Sequence, residues 1–298
     1  MSKNRSAKRR RVSVAVAGVA GFALAAGVAV SASAATGGTT VSASVAQAKQ
    51  LRAVKPTIVL VHGAWSDSSS WSGVVKRLQA AGYQVDAPAN PLRGLKSDSA
   101  YLADYLETIQ GPIVLVGHSY GGEVITNAAT GNPNVKALVY IAALAPDQGE
   151  SAAVISAEFP GSHLSDDPKA PVPTALNAVP FTQGVGGTGI DLYLKADKYR
   201  DVFLSGRFNN ATAAELAATQ RPLTAQGLVE PSGTPAWKTI PSWYLVASDD
   251  HTIPPAAEKF MAARAHAHTV EVDAPHAVAL TDPGAVTSLI EKAVVARG

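Results

Sequence analysis

The chain has 298 residues, 47% of them hydrophobic and 16% charged, a balance that excludes a disordered chain and suits one large α/β domain or two small ones. It has no cysteine, which removes disulfides, Cys-ligated zinc, iron–sulfur clusters and thiol catalysis. The net charge of +2 comes from the first 34 residues, which hold Lys3, Arg5, Lys8, Arg9, Arg10 and Arg11 and no acid; the rest carries 19 basic against 23 acidic residues and gives no reason to expect nucleic-acid binding.

That basic head runs into an apolar stretch, Val12 to Val30, and then Ala32-Ser33-Ala34. A charged start, an apolar middle and a small-x-small end predict a secretory signal peptide over residues 1–34, with secretion of the remaining chain. An uncleaved anchor is the alternative, since the apolar run is nearly long enough to span a bilayer. The three arginines leave twin-arginine export open beside the general route. Residues 35–54, rich in Ala, Ser, Thr and Gly, read as a flexible linker, so the folded domain is expected over 55–298.

Within the domain, apolar runs rich in β-branched residues alternate with helical spacing. Thr57–Val61 reads as a strand buried on both faces. Trp71 to Ala81 carries a helical stripe stopped by Gly82. Tyr83–Ala87 is a short strand, and Ser97 or Ser99 is placed to cap a helix through Leu102, Leu106 and Ile109. A buried strand at Ile113–Val116, a helix at Gly122–Thr130 and a strand at Val135–Ala143 come next. The C-terminal part supplies strands at Trp243–Ala247 and His268–Val272 and helices at Pro255–Arg264 and Pro283–Ala296. This order predicts an α/β fold with a mostly parallel sheet of about six strands flanked by helices.

Residues 147–240 break the alternation with frequent Pro and Gly and no evident buried strand, which predicts a small helical lid over the strand ends. Its Phe159, Phe181, Tyr193, Leu194, Tyr199, Phe203 and Phe208 are expected mostly in the lid's own core, with some facing a cleft. Gly184–Gly189 matches a dinucleotide-binding pattern by letter, but no buried strand precedes it and no clear helix comes after it, so it reads as a flexible turn.

The chemistry centres on Gly117-His118-Ser119-Tyr120-Gly121, a G-x-S-x-G sequence between a buried strand and a helix. A strand turning sharply into a helix strains the backbone of the middle residue and holds its hydroxyl out at the carboxyl edge of the sheet. Of the seven histidines (62, 118, 163, 251, 266, 268 and 276), His276 comes after the final strand, where the base of such a serine belongs. The orienting carboxylate is expected after the preceding core strand, where Asp249 and Asp250 both stand. Asp250 is preferred because the turn to Ile253-Pro254 buries it, and Asp147 is an outside candidate. The oxyanion hole requires two converging N–H groups, assigned to Tyr120 and to Ala64 in the His62-Gly63-Ala64-Trp65 loop, with His62 supporting that loop.

The segments TIVLVHGAW (57–65), VGHSYGG (116–122), ALAPDQGE (143–150), PAWKTIPSWYLVA (235–247), Asp250–Pro254 and the His276 region together resemble the α/β-hydrolase superfamily, more closely its bacterial esterase-like branch related to plant methylesterases and hydroxynitrile lyases. The resemblance spans roughly 55–298. It implies Ser119 as nucleophile, Asp250 as acid and His276 as base, a helical lid and no cofactor. Hydroxynitrile lyases of this group have threonine where this chain has Gly63 and lysine where it has Ala277, and the absence of that lysine's charge favours hydrolysis. Pro275 stands where many bacterial relatives have serine. The expectation is a secreted carboxylesterase for small to medium esters, with no metal, no nucleic-acid partner and no stable membrane association after cleavage. Hydroxynitrile lyase or perhydrolase activity and a non-catalytic receptor are the alternatives.

Overall fold

A computed structural model describes residues 55–167, 169–183 and 187–296; the predicted signal peptide and linker lie outside the described residues. The strands are β1 (Thr57–Val61), β2 (Gln84–Asp86), β3 (Ile113–Ser119), β4 (Val135–Ala143), β5 (Leu176–Gln183), β6 (Gly187–Leu194), β7 (Leu223–Thr224), β8 (Ser242–Ala247) and β9 (His268–Val272). The helices are α1 (Ser72–Ala80), α2 (Leu95–Glu107), α3 (Tyr120–Ala128), α4 (Ala152–Glu158), α5 (Ala196–Val202), α6 (Asn210–Thr219), α7 (Ala225–Val229), α8 (Pro255–Arg264), α9 (Val278–Thr281) and α10 (Pro283–Ala296).

Six parallel strands form the central sheet in the order β2-β1-β3-β4-β8-β9. The runs that are apolar on both faces became the interior strands: β1, β3 and β8 are buried along their whole length, while β2 and β9 lie at the edges and are half exposed. Side chains alternate across the pleat. Ile58, Leu60, Val114 and Val116 pack with Trp71, Leu78, Val286 and Ile290 against α1 and α10. Val59, Val61 and Leu115 pack with Leu102, Leu106, Val124 and Met261 against α2, α3 and α8. Each fully buried Leu or Ile in these layers contributes about 1.5–3 kcal/mol of transfer free energy.

The chain passes from β1 to β2 on one side and then to β3 on the other, so the winding reverses between β1 and β3. In open parallel sheets such a reversal leaves a crevice at the carboxyl ends of the strands. Ser119 ends β3, and the loop after β1 holds His62–Trp65.

Several elements depart from the expectations in instructive ways. β3 runs through Ser119 rather than stopping at Val116, because Gly117, His118 and Ser119 continue the ladder to β4, and α3 starts at once with Tyr120. Neither Ser97 nor Ser99 caps α2. The Asp98 carboxylate accepts the Arg93 and Gly94 N–H groups instead, and the Ser97 hydroxyl donates to Gly94 O. Residues 147–240 contain helices α4–α7 as expected, but also a three-stranded antiparallel sheet, β5-β6-β7, that the sequence pattern did not announce. The reason is burial: in β6 only Leu192 and Leu194 are buried, so no apolar run marks the strand. Gly187, Thr188 and Gly189 of the dinucleotide-like stretch belong to β6 and pair with β5, which replaces the flexible-turn reading there; residues 184–186 lie outside the described residues.

Candidate active site

Ser119 occupies φ 55, ψ −128, a positive-φ conformation that costs a non-glycine residue energy and persists only where its surroundings enforce it. Glycines make the turn sterically feasible. A Cβ on Gly117 would fall 2.5 Å from Gly121 O, one on Gly121 2.4 Å from Val61 O, and one on Gly122 2.5 Å from Leu144 O. The serine is thereby fixed at the strand–helix junction, held also by the Leu144 N–H donated to Ser119 O at 3.1 Å.

His276 reaches this serine from the loop after β9: its Nε2 lies 2.8 Å from Ser119 Oγ. Its Nδ1 lies 2.6 Å from Asp250 Oδ2. Asp250 arrives from the loop after β8, and its Oδ1 accepts the N–H groups of Thr252 (2.6 Å) and Ile253 (2.8 Å). His276 and Asp250 side chains are fully buried. Asp249 faces outward, where Arg207 binds it, and Asp147 pairs with Lys238, so neither adjoins His276.

The loop after β1 lies against the serine. A Cβ on Gly63 would fall 2.5 Å from Ser119 Cβ and 2.8 Å from His118 O, so only glycine fits without displacing Ser119. The Ala64 N–H has no acceptor among the described residues, and Tyr120, as first residue of α3, has an N–H with no intrahelical acceptor. Both residues are buried. His62 braces the loop: Asn90 N–H donates to its Nε2 at 3.0 Å, which leaves the proton on Nδ1 to be donated to Gly63 O at 2.9 Å. Burial lowers the His62 pKa, in keeping with a neutral ring.

Three groups with no assigned role in the sequence complete the surroundings. His118 donates Nε2–H to the carbonyl of His276 at 2.9 Å, and its ring lies 4.7 Å from the His276 ring. Burial, then the nearby His276, lowers its pKa well below that of a free histidine, so it serves as a neutral donor that holds the His276 backbone. Phe203 of the lid packs edge-on against His276 at 5.2 Å, and its carbonyl accepts the Ala277 N–H. Glu258, on α8, is wholly buried and its Oε2 accepts the Ala247 N–H, while its Oε1 has no hydrogen-bond partner among the described residues. Burial, then the charge of Asp250, pushes its carboxyl well above the usual range. His118 and Phe203 were visible as a residue inside G-x-S-x-G and as a lid aromatic; nothing in the local sequence marks Glu258.

The lid is joined to the same loops. Tyr199 donates its hydroxyl to Trp65 O at 2.7 Å, Trp65 Nε1 donates to Leu192 O, and Trp65 N–H donates to Arg221 O, both at 2.9 Å. With the lid in place Ser119 is only 5% exposed.

A family model described as "Alpha/beta hydrolase family" matches residues 58–289. Among characterised proteins, the chain is 28% identical over 265 residues to alpha/beta hydrolase nvfD of Aspergillus novofumigatus, covering 80% of this chain and 97% of that one. It is 34% identical over 106 residues to a carbendazim hydrolyzing esterase of Nocardioides sp., covering 31% of this chain and 44% of that protein. The crystal structure of polyneuridine aldehyde esterase superposes with a TM-score of 0.66 at 19% identity, covering 80% of this chain and 99% of that one.

Proposed function

The chain belongs to the alpha/beta hydrolase family, and on that premise we propose that it is a secreted serine carboxylesterase acting on small to medium carboxylic esters through an acyl-enzyme on Ser119. The observation that carries this reading is the unbroken hydrogen-bonded line from Ser119 Oγ through His276 to the buried Asp250 carboxylate. The esterase name of the Nocardioides relative supports the ester class, and the leader over residues 1–34 supports secretion.

The reaction is built on this geometry. His276 Nε2 takes the Ser119 hydroxyl proton as Oγ attacks the ester carbonyl. The carbonyl oxygen becomes an oxyanion and accepts the Ala64 and Tyr120 N–H groups; each such donor is worth about 3 kcal/mol of barrier. Asp250 holds the Nδ1 proton and balances the imidazolium charge, while the Thr252 and Ile253 amides keep Asp250 in place. The tetrahedral adduct collapses, the carbon–oxygen bond to the alcohol breaks, and His276 returns its proton to the departing oxygen. Water, deprotonated by His276, then attacks the acyl carbon, and collapse restores Ser119 with release of the acid. Enclosure under the lid favours compact substrates and requires the lid to part for entry.

Two features weigh against carbon–carbon lyase chemistry. Ala277 offers no charge beside His276, and the threonine that hydroxynitrile lyases carry at the Gly63 position would not fit against Ser119 here.

A fluorophosphonate probe combined with peptide mass spectrometry tests the assignment. We expect labelling at Ser119, and loss of short-chain ester turnover by about 10⁴-fold or more in Ser119→Ala with an unchanged melting temperature. An active preparation in which Ser119 stays unlabelled overturns it.

A further inference from the structure

Away from the site described above, His163, Asp201 and His251 converge at the lid boundary. His163 comes after α4 and Asp201 lies on α5, both within the lid, whereas His251 adjoins Asp250 on the loop after β8. The two imidazole Nδ1 atoms each lie 2.9 Å from a different oxygen of the Asp201 carboxylate. Their rings lie with centroids 4.0 Å apart, tilted by 33°. One ligand atom from each residue falls within 4.8 Å of the others.

Main-chain and hydroxyl hydrogen bonds hold this arrangement independently of the imidazoles. His163 N–H donates to His251 O at 2.8 Å, Ser162 Oγ to Thr252 O at 2.7 Å, and Thr252 Oγ1 to Val202 O at 2.8 Å. A second feature points the same way. His251 Nε2 faces Asp249 Oδ1 at 3.6 Å, the placement of the carboxylate that commonly orients a metal-bound histidine from behind. A surface cleft of about 460 Å³, lined in part by Asp201, Ser205 and His251, opens beside the cluster. The nearby cations are committed elsewhere: Arg200 donates to the carbonyls of Phe208 and Gly206, and Arg207 pairs with Asp249 and Asp273.

We propose that His163, Asp201 and His251 form a binding site for a divalent transition-metal ion of the zinc class, held by two Nδ1 atoms and one carboxylate oxygen with water completing a tetrahedron. Zinc takes imidazole and carboxylate ligands at about 2.0–2.1 Å, which sets ligand atoms about 3.3 Å apart; the present spacing requires the wider ligand gap to close by at most about 1.5 Å and the two 2.9 Å contacts to open slightly. The metal replaces the two hydrogen bonds to Asp201, and each neutral imidazole then carries its proton on Nε2, which on His251 is directed at Asp249. Two imidazoles select zinc over the oxygen-preferring magnesium and calcium. The ion fastens the lid to the loop that carries Asp250, and its role is structural. This inference stands apart from the ester-cleaving reading and survives its failure.

Calorimetric titration of the purified, chelator-stripped protein with ZnCl₂ tests it, together with metal content and thermal melting. The expected result is one zinc per chain and a rise of several degrees in melting temperature, absent with MgCl₂. His163→Gln and Asp201→Asn should each weaken zinc binding by at least about tenfold and abolish the thermal shift. Zinc-edge X-ray absorption of the wild-type complex, which needs no variant to fold, should show two imidazoles with oxygen donors completing the shell. No saturable binding, one-to-one binding retained in both variants, or a spectrum with three or more imidazoles would overturn the proposal.

Discussion

The sheet half of the molecule and the lid solve the same problem by different means. Strands β1, β3, β4 and β8 are buried along nearly all their length and place Ser119 through contacts of backbone on backbone, with no room even for a methyl group at Gly63 or Gly121. The lid buries a minority of its residues and reaches the site through single hydrogen bonds: Tyr199 to Trp65, Trp65 to Leu192 and Arg221, and Ala277 to Phe203. Position in the sheet half is over-determined by packing. In the lid it rests on a few directional contacts, each worth about 1 kcal/mol. Precision at the serine and freedom over it are therefore housed in separate parts of the chain.

Substitutions on either side sharpen that contrast. The largest effect is expected at Gly63→Ala, whose new methyl must push Ser119 aside; a displacement of this kind costs about 10²-fold in turnover, measured as kcat on a short-chain ester with circular dichroism as the control for folding. Tyr199→Phe removes one lid contact to Trp65 O and should lower kcat by less than about tenfold and stability by about 1 kcal/mol, read from ester kinetics and urea melts. A greater loss of kcat in Tyr199→Phe than in Gly63→Ala would invert the comparison.

The smallest effect on turnover, read in stability instead, concerns the packed half alone. Glu123 on α3 is wholly buried, and neither of its carboxyl oxygens has a partner among the described residues. Burial, then the charge of Glu230, pushes its carboxyl well above the usual carboxylate range. Its contribution to stability is complete below the unfolded-state pKa and is lost as pH rises toward the folded-state value, because the unfolded chain ionises first. Between pH 5 and 8, Glu123→Gln should gain stability relative to the parent by at most about 1.4 kcal/mol per pH unit. Parallel urea melts across that range check the slope, and a flat difference rejects a neutral Glu123.

What could be read from the chain divides along the same line. The six core strands were visible because both of their faces are apolar over most of the sheet, and Pro255–Arg264 and Pro283–Ala296 had the bounds the pattern suggested. Ser119, Asp250 and His276 were named from the order of strands and the loops after them, and the structure brings those three side chains into hydrogen-bonding distance. Asp250 rather than Asp249 turns inward, as the adjoining Ile253-Pro254 turn implied. Strands β5 and β6 were hidden because most of their described residues are exposed or half exposed and so carry no apolar run. Glu258 was hidden for another reason: its burial at the end of β8, where it accepts the Ala247 N–H, depends on how α8 packs on β8, which no local pattern encodes.

The lid's attachment has an evolutionary side. Of its hydrogen bonds to the loops around Ser119 and His276, three use lid carbonyls, those of Leu192, Phe203 and Arg221, while Tyr199 and Arg207 use side chains. Carbonyls are indifferent to mutation. Lineages descended from such a chain can therefore exchange many of the residues lining the lid's underside, and with them the groups that face the cleft, while keeping most of what holds the lid over Ser119.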